Sequence, residues 1–219
     1  MPSGPGFLVS CPYDMKRILF FVDGFNVYHA LDDERKYHKY KWLDYSTLAT
    51  RFVSKKGQIV GILYFTAYAH WNPAKMARHQ LLVRALMAAG VKVVFGKFKS
   101  RDHECRLCNG TYSTFEEKQT DVNIAIKLFQ SAINNDFDTA IIISGDSDLI
   151  PAIEAVKTTF PAKQIGLVVP IGRRAKELMS VCDFRIKMKE IHLKTSQFPD
   201  AIVLDPVKNI VLQRPPSWR

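Results

Sequence analysis

The chain has 219 residues, 47% of them hydrophobic, which suffices for one sizeable core and a single domain with trimmings. Lys and Arg number 31 against 21 Asp and Glu, and the formal net charge of +10 fits either a polyanionic partner or general solubility. Four cysteines are too few and too scattered for a disulfide framework, no apolar run has the length of a membrane span, and the N-terminus lacks a signal-peptide pattern. The expected compartment is therefore the reducing cytoplasm, with no membrane partner.

Residues 1–14, rich in Gly, Pro and Ser, read as a loose leader. A continuously apolar run over 17–22 predicts a strand buried on both faces. A second strand is expected over 58–68. A helix over 73–89 follows, with Asn72 as N-cap, Pro73 at its first position and Gly90 as its stop. Strand 91–95, helix 117–134, strand 139–143, helix 149–158 and strand 164–169 come next. A helix over 174–181 and a strand over 184–188 complete the series. Strands alternating with helices predict an α/β fold, a parallel sheet covered on both faces with right-handed crossovers. Functional residues in such sheets lie beyond the carboxyl ends of the strands.

Two of these strands end alike. Ile18 to Val22 runs into Asp23-Gly24-Phe25-Asn26, and Ile141 to Ile143 runs into Ser144-Gly145-Asp146-Ser147-Asp148. Each is an apolar run closed by a Gly-containing acidic turn ahead of a helical pattern. Asp121 reaches the same edge near a helix start, and its face continues through Ala125, Leu128 and Ala132, so it is expected to point inward. Glu117, one turn earlier, either joins the site or decorates that first turn, the helix dipole favouring decoration. Unpaired carboxylates brought together repel unless a cation lies between them. An all-oxygen set suits a hard ion such as Mg²⁺ or Mn²⁺. Taken singly, Asp23, Asp146 and Asp148 could each be a helix cap.

Val22-Asp-Gly-Phe-Asn26, Glu117-Lys-x-x-Asp-Val-x-Ile-Ala125 and Ile143-Ser-Gly-Asp-Ser-Asp-Leu149, in this order, resemble the NYN domain, the LabA-like or DUF88 branch of the PIN-like nucleases. The similarity runs over about 17–187. It implies a PIN-like, Rossmann-like three-layer sandwich with a central, mostly parallel sheet of five to six strands, the first and fourth strands being neighbours. It also implies a metal-dependent ribonuclease site. Carried over by motif, Asp23, Asp121, Asp146 and Asp148 hold Mg²⁺ or Mn²⁺, and Asn26 orients water or a phosphate oxygen. Hydrolysis would leave a 3′-hydroxyl and a 5′-phosphate. The domain is expected over 15–190.

The expected partner is RNA, single-stranded or structured, and a homodimer is left open. Lys118, Arg173, Arg174 and Lys176 are the candidates to hold its phosphates, with Lys97 and Lys99 leading toward the acids. Arg35 to Trp42 interleaves cations with aromatics, which fits either base stacking or a loop with its rings tucked inward. Cys105 and Cys108 sit in an insert over 97–114. They form either half of a structural zinc site, with His103 and Cys182 as further ligands, or a pair of free thiols. Residues 191–219 are expected to pack on the domain, anchored near the end by Trp218. A regulatory module that binds RNA or protein without cleaving is the alternative function.

Overall fold

The computed structural model describes residues 15–104, 108 and 110–219. The leader over 1–14 and Cys105 lie outside the described residues. Six strands form one sheet: β1 (Lys16–Asp23), β2 (Gly57–Thr66), β3 (Lys92–Phe95), β6 (Thr139–Ile143), β7 (Gln164–Val169) and β8 (Phe184–Lys187). Their order is β3-β2-β1-β6-β7-β8, and every pairing is parallel. The chain moves outward from β1 to β3, then returns to the centre and moves outward the other way. The reversal falls between β1 and β6, the crevice where doubly wound sheets bind ligands.

Alternation along the central strands sorts side chains into two cores. Ile18, Phe20 and Val22 of β1, with Ile141 and Ile143 of β6, face one core. Leu19 and Phe21, with Ala140 and Ile142, face the other. The first core is closed by α1 (Gly24–Asp32), α2 (Tyr45–Thr50) and α3 (Pro73–Ala88), the second by α4 (Thr120–Ile133), α5 (Ile150–Thr159) and α6 (Lys176–Val181). This is the expected three-layer arrangement. Asn72 caps α3 by accepting from the Lys75 amide at 2.9 Å, and Gly90 follows at φ +83, a left-handed conformation.

The largest departure from the sequence reading lies at 97–118. β4 (Lys97–Glu104) and β5 (Thr111–Lys118) pair antiparallel as a separate hairpin, so the segment is a two-stranded arm. The helix expected from residue 117 begins at Thr120. Thr, Tyr, Ser and Phe over 111–115 favour a strand, and Gln119 at φ +80 turns the chain before α4.

The rings of the cation–aromatic segment tuck inward. Arg35–Tyr40 is a 3-10 turn in which Tyr37 and Tyr40 are buried, as is Trp42 beyond it, so they are not free to stack bases. Past α7 (Glu190–Lys194), β9 (Ala201–Asp205) and β10 (Ile210–Gln213) form a second hairpin. Phe198, Leu212 and Trp218 enter the first core, and the Trp42 indole donates to the Pro199 carbonyl at 2.9 Å.

Candidate metal centre

Asp23 is the last residue of β1 and the N-cap of α1. Its Oδ1 accepts from the Asn26 amide at 3.0 Å, and its Oδ2 accepts from the Ser144 hydroxyl at 2.8 Å. Only 4% of it is exposed. Gly24 permits this turn, because a Cβ there would come within 2.6 Å of both the Phe65 carbonyl and the Tyr64 ring. From the other side of the crevice, Asp146 follows β6 and caps the 3-10 turn Ser147–Leu149, accepting from the Asp148 amide at 3.0 Å. Capping and clustering therefore coexist: one set of contacts fixes the carboxylates that another chemistry can use.

Asp121, in the first turn of α4, completes the group. Carboxylate oxygens of Asp23, Asp121 and Asp146 all lie within 4.8 Å of one another. No ion pair among the described residues involves any of the three. Burial, with the charges of Asp121 and Asp146, pushes the Asp23 carboxyl up to about 6 against the pull of its two hydrogen bonds. Burial raises Asp121 to about 6 as well, with Asp146, Glu117 and Asp148 adding to the effect. Three uncompensated carboxylates of this kind fit a hard divalent cation in charge and in donor type. The set holds no nitrogen or sulfur donor.

The remaining expected residues divide. Asp148 is exposed and outside the trio, near enough to act on Asp121 through its charge. Asn26 Oδ1 accepts from the Gly145 amide at 2.9 Å. It ties the two acidic turns together. Glu117 is at the end of β5, where it lines the cavity and accepts from the Thr120 amide at 3.1 Å. It belongs to the site more closely than a decorating residue would. Arg173 lines the cavity and is held by Asp33 at 3.0 Å.

Arg174 and Lys176 are exposed and outside the lining, and Lys118 pairs with Glu116 at 3.0 Å instead of reaching the acids. Lys97, Lys99 and Lys118 alternate with the hairpin residues that line the cavity, so they project from the opposite face. Cys108 is exposed, the His103 ring sits 2.9 Å from the Thr114 hydroxyl, and burial pushes the Cys182 thiol up to about 11.

Sequence reasoning missed one wall of the cavity, which encloses about 580 Å³. Trp71 precedes α3, and Lys75, Arg78, His79 and Leu82 line the cavity from α3 itself. Their spacing at i, i+3, i+4 and i+7 was the available signal. His79 lies 3.0 Å from the Thr66 hydroxyl, and burial lowers it to about 4, so it stays neutral near pH 7.

A doubly wound sheet with carboxylates gathered at its switch point is the PIN-like arrangement. Residues 17–189 match the NYN domain, and the chain belongs to that family. A relative from Pseudomonas putida (strain DSM 28022 / S16), 6-hydroxy-3-succinoylpyridine 3-monooxygenase HspA, is 26% identical over 189 residues. The match covers 70% of this chain and 59% of the relative, so the chain spans about three-fifths of that protein's length. The crystal structure of a protein of unknown function from Vibrio parahaemolyticus RIMD 2210633 superposes with a TM-score of 0.56 at 18% identity. That match covers 82% of this chain and 97% of the other, and it is a likeness of fold. No helix among the described residues is long and apolar enough to cross a membrane.

Proposed function

We propose that the protein is a divalent-metal-dependent ribonuclease that hydrolyses phosphodiester bonds at the Asp23, Asp121 and Asp146 centre. The observation that carries this reading is the convergence of the three carboxylates within 4.8 Å at the sheet's switch point, with no cationic side chain among the described residues paired to them. Membership of the NYN family, whose resemblance implies a nuclease site, supports it. A bound Mg²⁺ or Mn²⁺ supplies Lewis-acid chemistry there, activating water and offsetting charge on the phosphate.

The chain's own groups supply the rest. Ser144 and the Asn26 amide fix the Asp23 oxygens, and the Asn26 side chain holds Gly145 and with it the Asp146 turn. Arg173, Lys75 and Arg78 give the cavity positive charge to hold a phosphate backbone. His79, kept neutral by burial, forms part of the wall beside Thr66.

A second reading has two observations behind it. The cavity is rich in aromatic side chains, and the relative is named a monooxygenase of a substituted pyridine. A small heteroaromatic acid would fit such a space. The donor set argues the other way, because three carboxylates without histidine suit Mg²⁺ or Mn²⁺ better than the histidine-rich sites of non-haem iron oxygenases.

The test is direct. Labelled single-stranded RNA is incubated with the protein in Mn²⁺ or EDTA, for wild type and Asp146→Asn. Fragments that need both Mn²⁺ and Asp146 support the nuclease. RNA that is bound but never cut supports a binding module instead.

A further inference from the structure

We propose that the aromatic wall beside the acids, ending at Phe115, is a nucleobase-binding subsite that stacks a base of the bound RNA next to the scissile phosphate. This rests on the ribonuclease reading above and adds where the base goes. The wall is continuous. Phe25, two residues past Asp23, meets Phe98 edge-on with ring centroids 5.4 Å apart. Phe98 meets Trp71 at 4.5 Å, and Trp71 stacks on Phe115 at 4.0 Å with planes 4° apart. All four rings line the same cavity as Asp23, Asp121 and Asp146.

The hairpin's register explains why the rings face the acids. Phe98 pairs with Glu117 and Ser100 with Phe115, so Phe98, Phe115 and Glu117 share one face of the arm. That face turns to the cavity, and Lys97, Lys99, Arg101 and Lys118 occupy the other. An arm that merely packed on the domain would bury its rings, yet Phe115 remains 39% exposed, as does Trp71 beneath it at 40%. One face of Phe115 lies on Trp71, and no other ring among the described residues stacks on it. Exposed aromatic surface in a cleft that also holds an acidic cluster calls for a planar partner. Lys75 and Arg78, in no ion pair among the described residues, bring positive charge to the same cavity for the backbone on which that base is carried. Stacking on such a platform is sequence-tolerant, since every base has a π-face.

The experiment titrates the full chain in Ca²⁺ with an eight-residue oligoribonucleotide and with the same oligomer made wholly abasic, following tryptophan fluorescence. Trp71 is the exposed tryptophan of the wall, and Trp218, though buried, also lines the cavity, so the change in fluorescence is assigned to Trp71 by its loss in Trp71→Phe. The base-bearing oligomer is expected to bind about five-fold or more tightly than the abasic one and to change the fluorescence. Phe115→Leu, which keeps apolar volume but removes the π-face, should erase most of that preference, and Phe115→Tyr should restore it. Equal binding of the two oligomers, or a Phe115→Leu protein with wild-type preference, overturns the subsite. If that happens while wild type still cleaves RNA in Mn²⁺, only the subsite fails. If wild type neither binds nor cleaves RNA, the ribonuclease reading fails and takes the subsite with it.

Discussion

The Ser144 hydroxyl donates a 2.8 Å hydrogen bond to Asp23 across the crevice between β1 and β6, and both residues are buried. The same Ser144 oxygen accepts from the Asp146 amide at 3.1 Å. One hydroxyl thus couples two members of the acidic trio. Ser144→Ala leaves a buried carboxylate short of a partner. It should cost about 1–3 kcal/mol in denaturant unfolding. It should also raise the Asp23 pKa further, so that metal activation moves to higher pH. An unchanged midpoint and pH profile would show the hydroxyl to be dispensable.

The raised carboxyls make stability depend on pH in a defined direction. Asp23 and Asp121 titrate at about 6 in the folded protein against an ordinary 3.8. The folded state therefore binds more protons than the unfolded chain between these values, and metal-free stability falls as pH rises through that window. For buried Asp23 the cost at neutral pH is on the order of 2–3 kcal/mol; half-buried Asp121 contributes less after solvent screening. Thermal unfolding in EDTA should therefore show less contribution from these groups at pH 8 than at pH 5. Mn²⁺ should raise Tm at pH 8 and do little at pH 5, where protons occupy the site. Asp121→Asn should raise the metal-free Tm at pH 8 and abolish most of the response to Mn²⁺.

Gly24 separates fold from chemistry. A Cβ there meets the Phe65 carbonyl and the Tyr64 ring at 2.6 Å, and neither backbone nor packed ring yields cheaply. Gly24→Ala should destabilise by about 1–3 kcal/mol and displace Asp23 from its partners. Loss of stability with metal affinity intact would contradict the link between that close approach and the site.

On the ribonuclease reading, the cations that hold RNA are those lining the cavity. Lys75→Glu with Arg78→Glu should weaken binding to all RNA sequences and flatten the salt dependence, by about 0.7 in log–log slope for each phosphate no longer neutralised. Lys118→Glu, on the far face of the hairpin, should change little. Affinities in Ca²⁺ across a salt series measure both. Equal effects of the two changes would mean that RNA runs over the outer face of the arm.

The sheet and two of its acidic turns were legible because apolar runs closed by Asp and Gly carry both burial and topology in a few residues. Asp121 was legible from helical periodicity, since Leu128 and Ala132 further along its face are buried. The hairpin was not. β4 and β5 are mostly polar strands whose Phe98 and Phe115 pack with Trp71, so alternation over 97–118 is masked by Lys, Arg, Ser and Thr. That is why the sequence predicts a helix where Glu117 and Lys118 end a strand. The α3 wall was hidden for another reason. Lys75, Arg78 and His79 lie on a helix that also presents Leu82 and Leu86 to the core, and charge at such positions ordinarily means a solvated face.

The most direct measurement is anomalous diffraction from crystals of the full chain soaked in Mn²⁺. The account predicts a peak between the carboxylates of Asp23, Asp121 and Asp146 that vanishes in Asp146→Asn crystals treated alike. A protein that cleaves RNA in EDTA, with no peak at these three residues, would contradict it.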